Sequence, residues 1–207
     1  MRSRPRSLMI MWRTLCMGFN KEARDETLAL WMKEGNHDAF DELMARYKAR
    51  LYSFICRYVA DRDEAYDLLQ ESFINIYRKI HLYDTNRKFS TWAFQVTLNK
   101  CRDWGRKKTL ERVLPFSSFN SSEENVNILD NISDQRPDPE YALIEKGELL
   151  ILVKAVASLP EKLKTPLIMC VLEDMSQEEC ALILGVTQKT VETRIYRARK
   201  KLAKLTI

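Results

Sequence analysis

Between Gln188 and Lys204 the chain carries Lys189, Arg194, Arg197, Arg199, Lys200, Lys201 and Lys204 against the single acid Glu192. A second run, from Arg87 to Lys108, carries Arg87, Lys88, Lys100, Arg102, Arg106, Lys107 and Lys108 against Asp103 alone. Side chains of this kind neutralise phosphates. Two such footprints, separated by an acidic stretch over residues 109–139, suggest a polyanion held at two points. Enzymatic chemistry finds little support. There is no Gly-rich phosphate loop and no nucleophile motif, and His37 and His81 are the only histidines. Asp61, Asp63, Glu64, Asp67 and Glu71 are close in sequence, but they lack the central Gly of a calcium loop and fall on a helical pattern. No catalytic residue, metal ligand or cofactor is therefore expected.

The terminal cations sit on elements whose punctuation is local and clear. Ser176 with Glu179 forms a capping box that opens a short helix running to Leu184. Gly185 supplies the turn, Thr187 can cap the next helix, and Ala181 is small enough for two helices to cross closely. In that next helix Val191, Ile195, Ala198, Leu202 and Leu205 form one apolar stripe, which leaves Lys189, Thr193, Tyr196, Arg197 and Lys201 largely outside it. The result is a helix-turn-helix whose second helix is armed for DNA.

Upstream, helical periodicity starts near Arg24. Phe40, Leu43, Tyr47, Leu51 and Ile55 make one stripe. After a break at "ADRD", Ala65, Leu68, Leu69, Ile76 and Ile80 make another. "KFSTWAFQVTLNKCRDWGRKK" supplies a third helix, with Ser90 or Thr91 as its expected N-cap and Trp92, Val96 and Leu98 available to pack. The Ser-, Asn-, Asp- and Pro-rich stretch that follows buries too little apolar area to fold by itself. Helices resume at Glu140, with Pro160 and Pro166 expected at boundaries.

The expected fold is all-α: two small helical domains joined by a flexible acidic linker. The boundaries fall at 1–23 for a disordered extension, 24–108, 109–139 for the linker, and 140–207. The basic start of "MRSRPRSLMIMWRTLCMG" is interrupted by Arg13 and reads as an extension rather than a signal peptide, or as an upstream start with the working chain beginning near Met17. Net charge is +5 over 207 residues, with 45% hydrophobic residues and only five Gly, which suits a folded, helix-rich protein. Five scattered cysteines without Cys-x-x-Cys spacing read as reduced, and no segment approaches a membrane span.

With both halves laid out, the chain resembles the bacterial sigma-70 family of RNA polymerase initiation factors, specifically the extracytoplasmic-function (ECF) group. The resemblance rests on "AYDLLQESFINIYRKI", "FSTWAFQVTLNKCRDW", "SLPEKLKTPLIM" and "SQEECALILGVTQKTVETRIYRARKKL", in that order. It makes residues 24–108 σ2-like and residues 140–207 σ4-like.

The resemblance implies roles. Asp67, Gln70, Glu71, Ile74 and Arg78 fall where such factors dock on the β′ clamp of core polymerase, a polar rim around one apolar residue. Lys88, Phe89, Trp92, Asn99, Lys100, Arg102 and Arg106 fall in the −10 reader. There aromatic faces stack on unpaired bases, an amide reads a base edge and cations follow the backbone. Gln188, Lys189, Thr193, Tyr196 and Arg197 fall on the −35 element, with Arg194 and Arg199 on phosphates. Lys189 replaces the Gly usual before Thr-Val, and Glu192 stands where a cation is common. The acidic linker resembles the connector that passes through polymerase. Implied partners are core polymerase (β′ clamp and β subunits), promoter DNA and a cognate anti-sigma factor, without membrane insertion, in the bacterial cytoplasm. A stand-alone helix-turn-helix regulator would need neither the docking helix nor the −10 reader, and would bind duplex DNA without polymerase.

Overall fold

The computed structural model describes residue 20 and residues 22–113 and 151–204, and among these there is no strand. The amino-terminal extension and most of the expected linker lie outside the described residues, as do Cys16 and Leu205.

The first half is a four-helix arrangement. Helix α1 (Asp25–Lys33) begins with Asp25 and Glu26, acids that suit the positive end of the helix dipole, and stops before Gly35 at φ +92. Helix α2 (His37–Val59) is capped by Asn36, whose side chain accepts from Ala39 N at 3.0 Å. It ends at Ala60, which takes the left-handed conformation (φ 58) that normally goes to Gly. Asp61 then accepts from Glu64 N at 3.1 Å and starts helix α3 (Arg62–Lys79). The first acid of the Asp61–Glu71 cluster is thus a helix cap. Glu64 is engaged too, accepting from Trp104 Nε1 at 2.7 Å and pairing with Lys108 at 2.6 Å. Burial pushes the Glu64 carboxyl up, but the hydrogen bonds from Lys108 and Trp104 outweigh it and hold that carboxyl below its ordinary value.

A 3₁₀ turn (Ile80–Leu82) leads to helix α4 (Phe89–Val113). This helix starts before the expected Ser90 or Thr91 cap. Its Phe89 N–H donates to Glu26 Oε1 of α1 at 3.2 Å, so a carboxylate distant in sequence does the capping. It also runs past residue 108, where the linker was expected to begin. The predicted inward residues Leu43, Tyr47, Leu51, Ile55, Ala65, Leu68, Leu69, Ile76, Ile80 and Leu98 are buried. Phe54 sits among them, fully buried, with its ring 5.7 Å from Phe94 and edge-on to it.

The second half holds a helix over residues 151–157, here α5, then α6 (Glu161–Leu167), α7 (Gln177–Leu184) and α8 (Gln188–Leu202). Pro160 caps α6, but Pro166 is not a boundary: it lies buried inside the helix. Lacking an N–H, it cannot extend the ordinary ladder. The chain continues instead through a π-helical turn (Ile168–Leu172), closed by Glu173 N–H donating to Ile168 O at 3.0 Å. The capping box is formed, with Glu179 N–H donating to Ser176 Oγ at 3.1 Å. Gly185 is left-handed at φ +64, and Thr187 accepts from Thr190 N at 3.2 Å. Val191, Ile195 and Ala198 are buried as the stripe requires. The two halves are not merely tethered, because α4 packs against α7 and α2 against the π turn.

Candidate nucleic-acid interface and docking groove

On α8 the expected reading face is exposed. Gln188, Lys189, Tyr196, Arg197 and Arg199 are open to solvent, and Thr193 and Arg194 are half-buried. Tyr196, 66% exposed, presents a large ring with nothing folded over it, as an interface aromatic requires. Thr193 Oγ1 donates to Lys189 O at 2.8 Å within the helix. A cleft of about 580 Å³ joins this face to the start of α6 and brings in Lys162, which the sequence reading missed. Only the packing of α6 on α8 reveals that neighbour.

The two departures from the family pattern meet: Lys189 Nζ pairs with Glu192 at 2.8 Å, one helical turn apart. Glu192 thus engages one cation of the expected reading face. Glu192→Lys is expected to tighten DNA binding by the full chain and to steepen its salt dependence by about one unit for each additional phosphate neutralised. Titrations of duplex DNA across a salt series check this. An unchanged slope means that Glu192 points away from DNA.

Along α4, residues 92, 95, 99, 102 and 106 fall near one line by helical spacing, with Lys88 just before the helix. Asn99 and Gln95 are exposed there; Gln95 was missed, although its spacing between Trp92 and Asn99 was available. Phe89 corrects the expectation. Its ring is 2% exposed, edge-on to Tyr47 at 5.3 Å and Tyr83 at 5.6 Å, and so offers no face to a base. Trp92, half-buried, leans on Tyr83 and Phe89. The buried pair is the floor on which Trp92 rests.

Each expected −10 cation faces a carboxylate. Lys100 pairs with Glu71 of the docking set at 2.7 Å and Arg106 with Asp103 at 2.6 Å, both within the first half. Lys88 pairs with Glu179 at 2.5 Å and Arg102 with Glu161 at 2.9 Å, both across to the second half. Hydrogen bonding from Lys88 holds the Glu179 carboxyl below its ordinary value, so it stays ionised.

The docking residues Asp67, Gln70, Glu71, Ile74 and Arg78 all lie exposed on α3. By helical spacing they share one face. Gln70, Ile74 and Arg78 border a groove of about 530 Å³ between α2 and α3, floored by apolar side chains including Phe40, Met44 and Phe73. Tyr66 and Tyr77 rim it, 49% and 41% exposed. Phe40 was expected in the core stripe and instead lines this groove, half-buried, with its ring 5.1 Å from Tyr77. An open apolar trough with a polar rim is the shape that accepts a partner helix.

The structure thus presents an exposed basic helix and, apart from it, an open apolar groove, and comparison with known proteins gives them a family. The sigma-70 region 2 family model matches residues 43–111 and the sigma-70 region 4 model residues 149–202. The ECF RNA polymerase sigma factor SigW of Bacillus subtilis is 31% identical over 173 residues, covering 84% of this chain and 91% of SigW. CnrH of Cupriavidus metallidurans, an RNA polymerase sigma factor, is 29% identical over 186 residues, covering 90% of this chain and 96% of CnrH. A solved structure of CnrH in complex with the cytosolic domain of CnrY superposes with TM-score 0.64 at 26% identity, over 88% of this chain and 96% of that one. The sigma factor RpoE of Bartonella quintana, solved with the anti-sigma factor NepR, shares the fold at TM-score 0.59 and 20% identity, over 81% of this chain and 96% of that one. The chain belongs to the ECF group of the sigma-70 family, a polymerase-associated, non-catalytic class of transcription initiation factors. No helix among the described residues is long and apolar enough to cross a membrane.

Proposed function

We propose that the chain joins core RNA polymerase through the α2–α3 groove, reads a −35 element with α8 and a −10 element with α4, and helps to open the duplex there. The observation that carries this is the groove beside Ile74 and Gln70, which a free-standing repressor has no use for. Its occupant is the β′ clamp helix pair, with contacts to the β subunit made elsewhere along the chain. Opening is driven by binding, since captured bases and core contacts offset unstacking costs of a few kcal/mol per step. The acidic linker follows a basic path through polymerase. CnrH was solved in complex with the cytosolic domain of CnrY and RpoE with the anti-sigma factor NepR, and a cognate anti-sigma factor would compete here for the same exposed faces. The site of action is the bacterial cytoplasm, where polymerase and chromosome are.

Transcription by core polymerase supplemented with the full chain, with the transcripts sequenced, tests the whole reading. Promoter-specific initiation is expected, and core that gains no promoter preference rejects the proposal. For the −10 reader, Trp92→Ala is expected to cost about 1–3 kcal/mol of single-strand capture through lost stacking. Asn99→Ala is expected to relax preference at one −10 position while core binding persists. Permanganate reactivity of promoter thymines measures both, and unaltered reactivity in the two variants removes α4 from the reading.

A further inference from the structure

The cysteines of the second half lie on two facing elements. Cys170 is in the π turn that follows Pro166, and Cys180 is in α7, which packs on that turn. The Cys180 thiol donates toward Cys170, and its sulfur lies 3.9 Å from Met169 Sδ, so adjacent residues of the turn both meet it. Met175 N–H donates to Met169 O at 2.9 Å, and Ser176 caps α7 directly afterwards. These bonds fold the short connection back and hold the two sulfurs together. Cys180 has no exposed surface, whereas Cys170 is half-buried. From this arrangement we propose that Cys170 and Cys180 form a reversible oxidation site for hydroperoxides, in which Cys170 attacks the peroxide, Cys180 resolves it, and the product is a disulfide between the π turn and the first helix of the helix-turn-helix. A partly exposed thiol beside a resolving cysteine is the arrangement such chemistry needs.

The thiolate, not the thiol, is the nucleophile. The hydrogen bond from Cys180 holds the Cys170 thiol below its ordinary value against the opposing effect of burial, while the same bond and burial push Cys180 up. The charge therefore rests on Cys170 when the pair ionises. Elsewhere among the described residues the cysteines are passivated: burial pushes Cys101 up to about 12 and raises Cys56 as well. In the first step Cys170 sulfur bonds to one peroxide oxygen, the O–O bond breaks, and the departing alkoxide takes the proton that Cys170 gave up, leaving a sulfenic acid. In the second, Cys180 sulfur bonds to Cys170 sulfur, the S–O bond breaks, and the hydroxide leaves with the Cys180 proton as water. Two electrons pass from the sulfur pair to the peroxide. A small thiol reverses the bridge by exchange, so in a reducing compartment it is transient. Arg194 of α8 lies near enough for its charge to act on the Cys180 thiol, which places the new bond beside the expected −35 helix.

The test exposes the reduced full chain to hydrogen peroxide, alkylates the remaining thiols and cuts with a Glu-specific protease. Glu173, Glu178 and Glu179 lie between the two cysteines, so the pieces carrying Cys170 and Cys180 separate unless a disulfide joins them. They should stay joined until dithiothreitol parts them, with the loss of two alkylatable thiols and an unchanged circular dichroism. Cys180→Ser should leave Cys170 as a sulfenic acid that dimedone traps, and with more peroxide as a sulfinic acid that dithiothreitol does not reduce. Cys170→Ser should leave Cys180 reduced. Retention of all thiols in the unaltered chain, bridges between two chains, or joined pieces that carry Cys56 or Cys101 in place of this pair overturns the proposal, and none of these outcomes depends on a variant. A folded Cys180→Ser without a dimedone adduct overturns the role given to Cys170. Cys180→Ala repeats that measurement if the serine variant loses helix content.

Discussion

Phe54→Ala is expected to destabilise the first half by about 3–5 kcal/mol, the range for emptying a large aromatic site in a packed core. Phe54 has no exposed surface and lies between Phe94 of α4, at 5.7 Å, and Tyr58 of its own helix, at 6.0 Å. Its neighbours Leu51, Ile55 and Phe94 are themselves fully buried, which limits how far the cavity can collapse. For a unit of this size, each kcal/mol moves the thermal midpoint by roughly 4–8 °C, so a loss of more than ten degrees is anticipated. Calorimetry, or denaturant titration followed by circular dichroism, measures it. A change below about 1 kcal/mol would mean that α2 and α4 do not meet at this ring. Because Phe54 supports α4, the helix proposed as the −10 reader, through Phe94, DNA capture should fall in step with the folded fraction rather than ahead of it.

Ile74→Asp is the counterpart that leaves the fold alone and removes a partner. Ile74 is 48% exposed, so the exchange should alter stability by no more than about 0.5 kcal/mol. In the proposed docked state the same position is covered, and a carboxylate against Phe73 and Tyr77 would lose its water in an apolar trough, with only the rim cations Arg78 and Lys48 to offset the loss. A central residue of an interface costs about 2 kcal/mol or more, roughly thirtyfold in affinity for core polymerase. Asp67→Ala with Gln70→Ala, at the rim, should weaken association less. Quantitative co-purification with core, alongside circular dichroism, separates the two effects. Wild-type association of Ile74→Asp would show that the groove faces something other than core.

The helix-turn-helix was legible because its determinants are local. Ser176 and Glu179, Gly185, and Thr187 with Thr190 act within three or four residues, and their hydrogen bonds form where the spacing puts them. The stripe of Val191, Ile195 and Ala198 needs only helical periodicity, which composition displays. The buried faces of α2 and α3 were readable for the same reason, and the family motifs added roles that no periodicity contains.

What remained hidden involves partners distant in the chain. Phe89 and Trp92 are three residues apart and chemically alike, yet Phe89 is buried and Trp92 half-exposed, because Phe89 packs between Tyr47 and Tyr83 whereas Trp92 meets Tyr83 and Phe89 from outside. Glu26 caps a helix 63 residues away, and Phe40 is only half-buried because it lies at the open α2–α3 groove, against Phe73 and Tyr77 of α3. Pro166, a stop signal locally, is carried inside a helix by the π turn that follows it.

Charge shows the division most plainly. Composition alone establishes two basic runs, since like charges gathered in sequence remain gathered in any fold, and that was enough to point to a polyanion. It could not establish which of those cations would be free to meet one. Whether Lys88 and Arg102 face solvent or the carboxylates of Glu179 and Glu161 depends on how two helical halves pack, and so on contacts across 91 and 59 residues. Helices follow from interactions a few residues long. A groove and a packed pair of helical halves exist only once the chain has been brought back on itself.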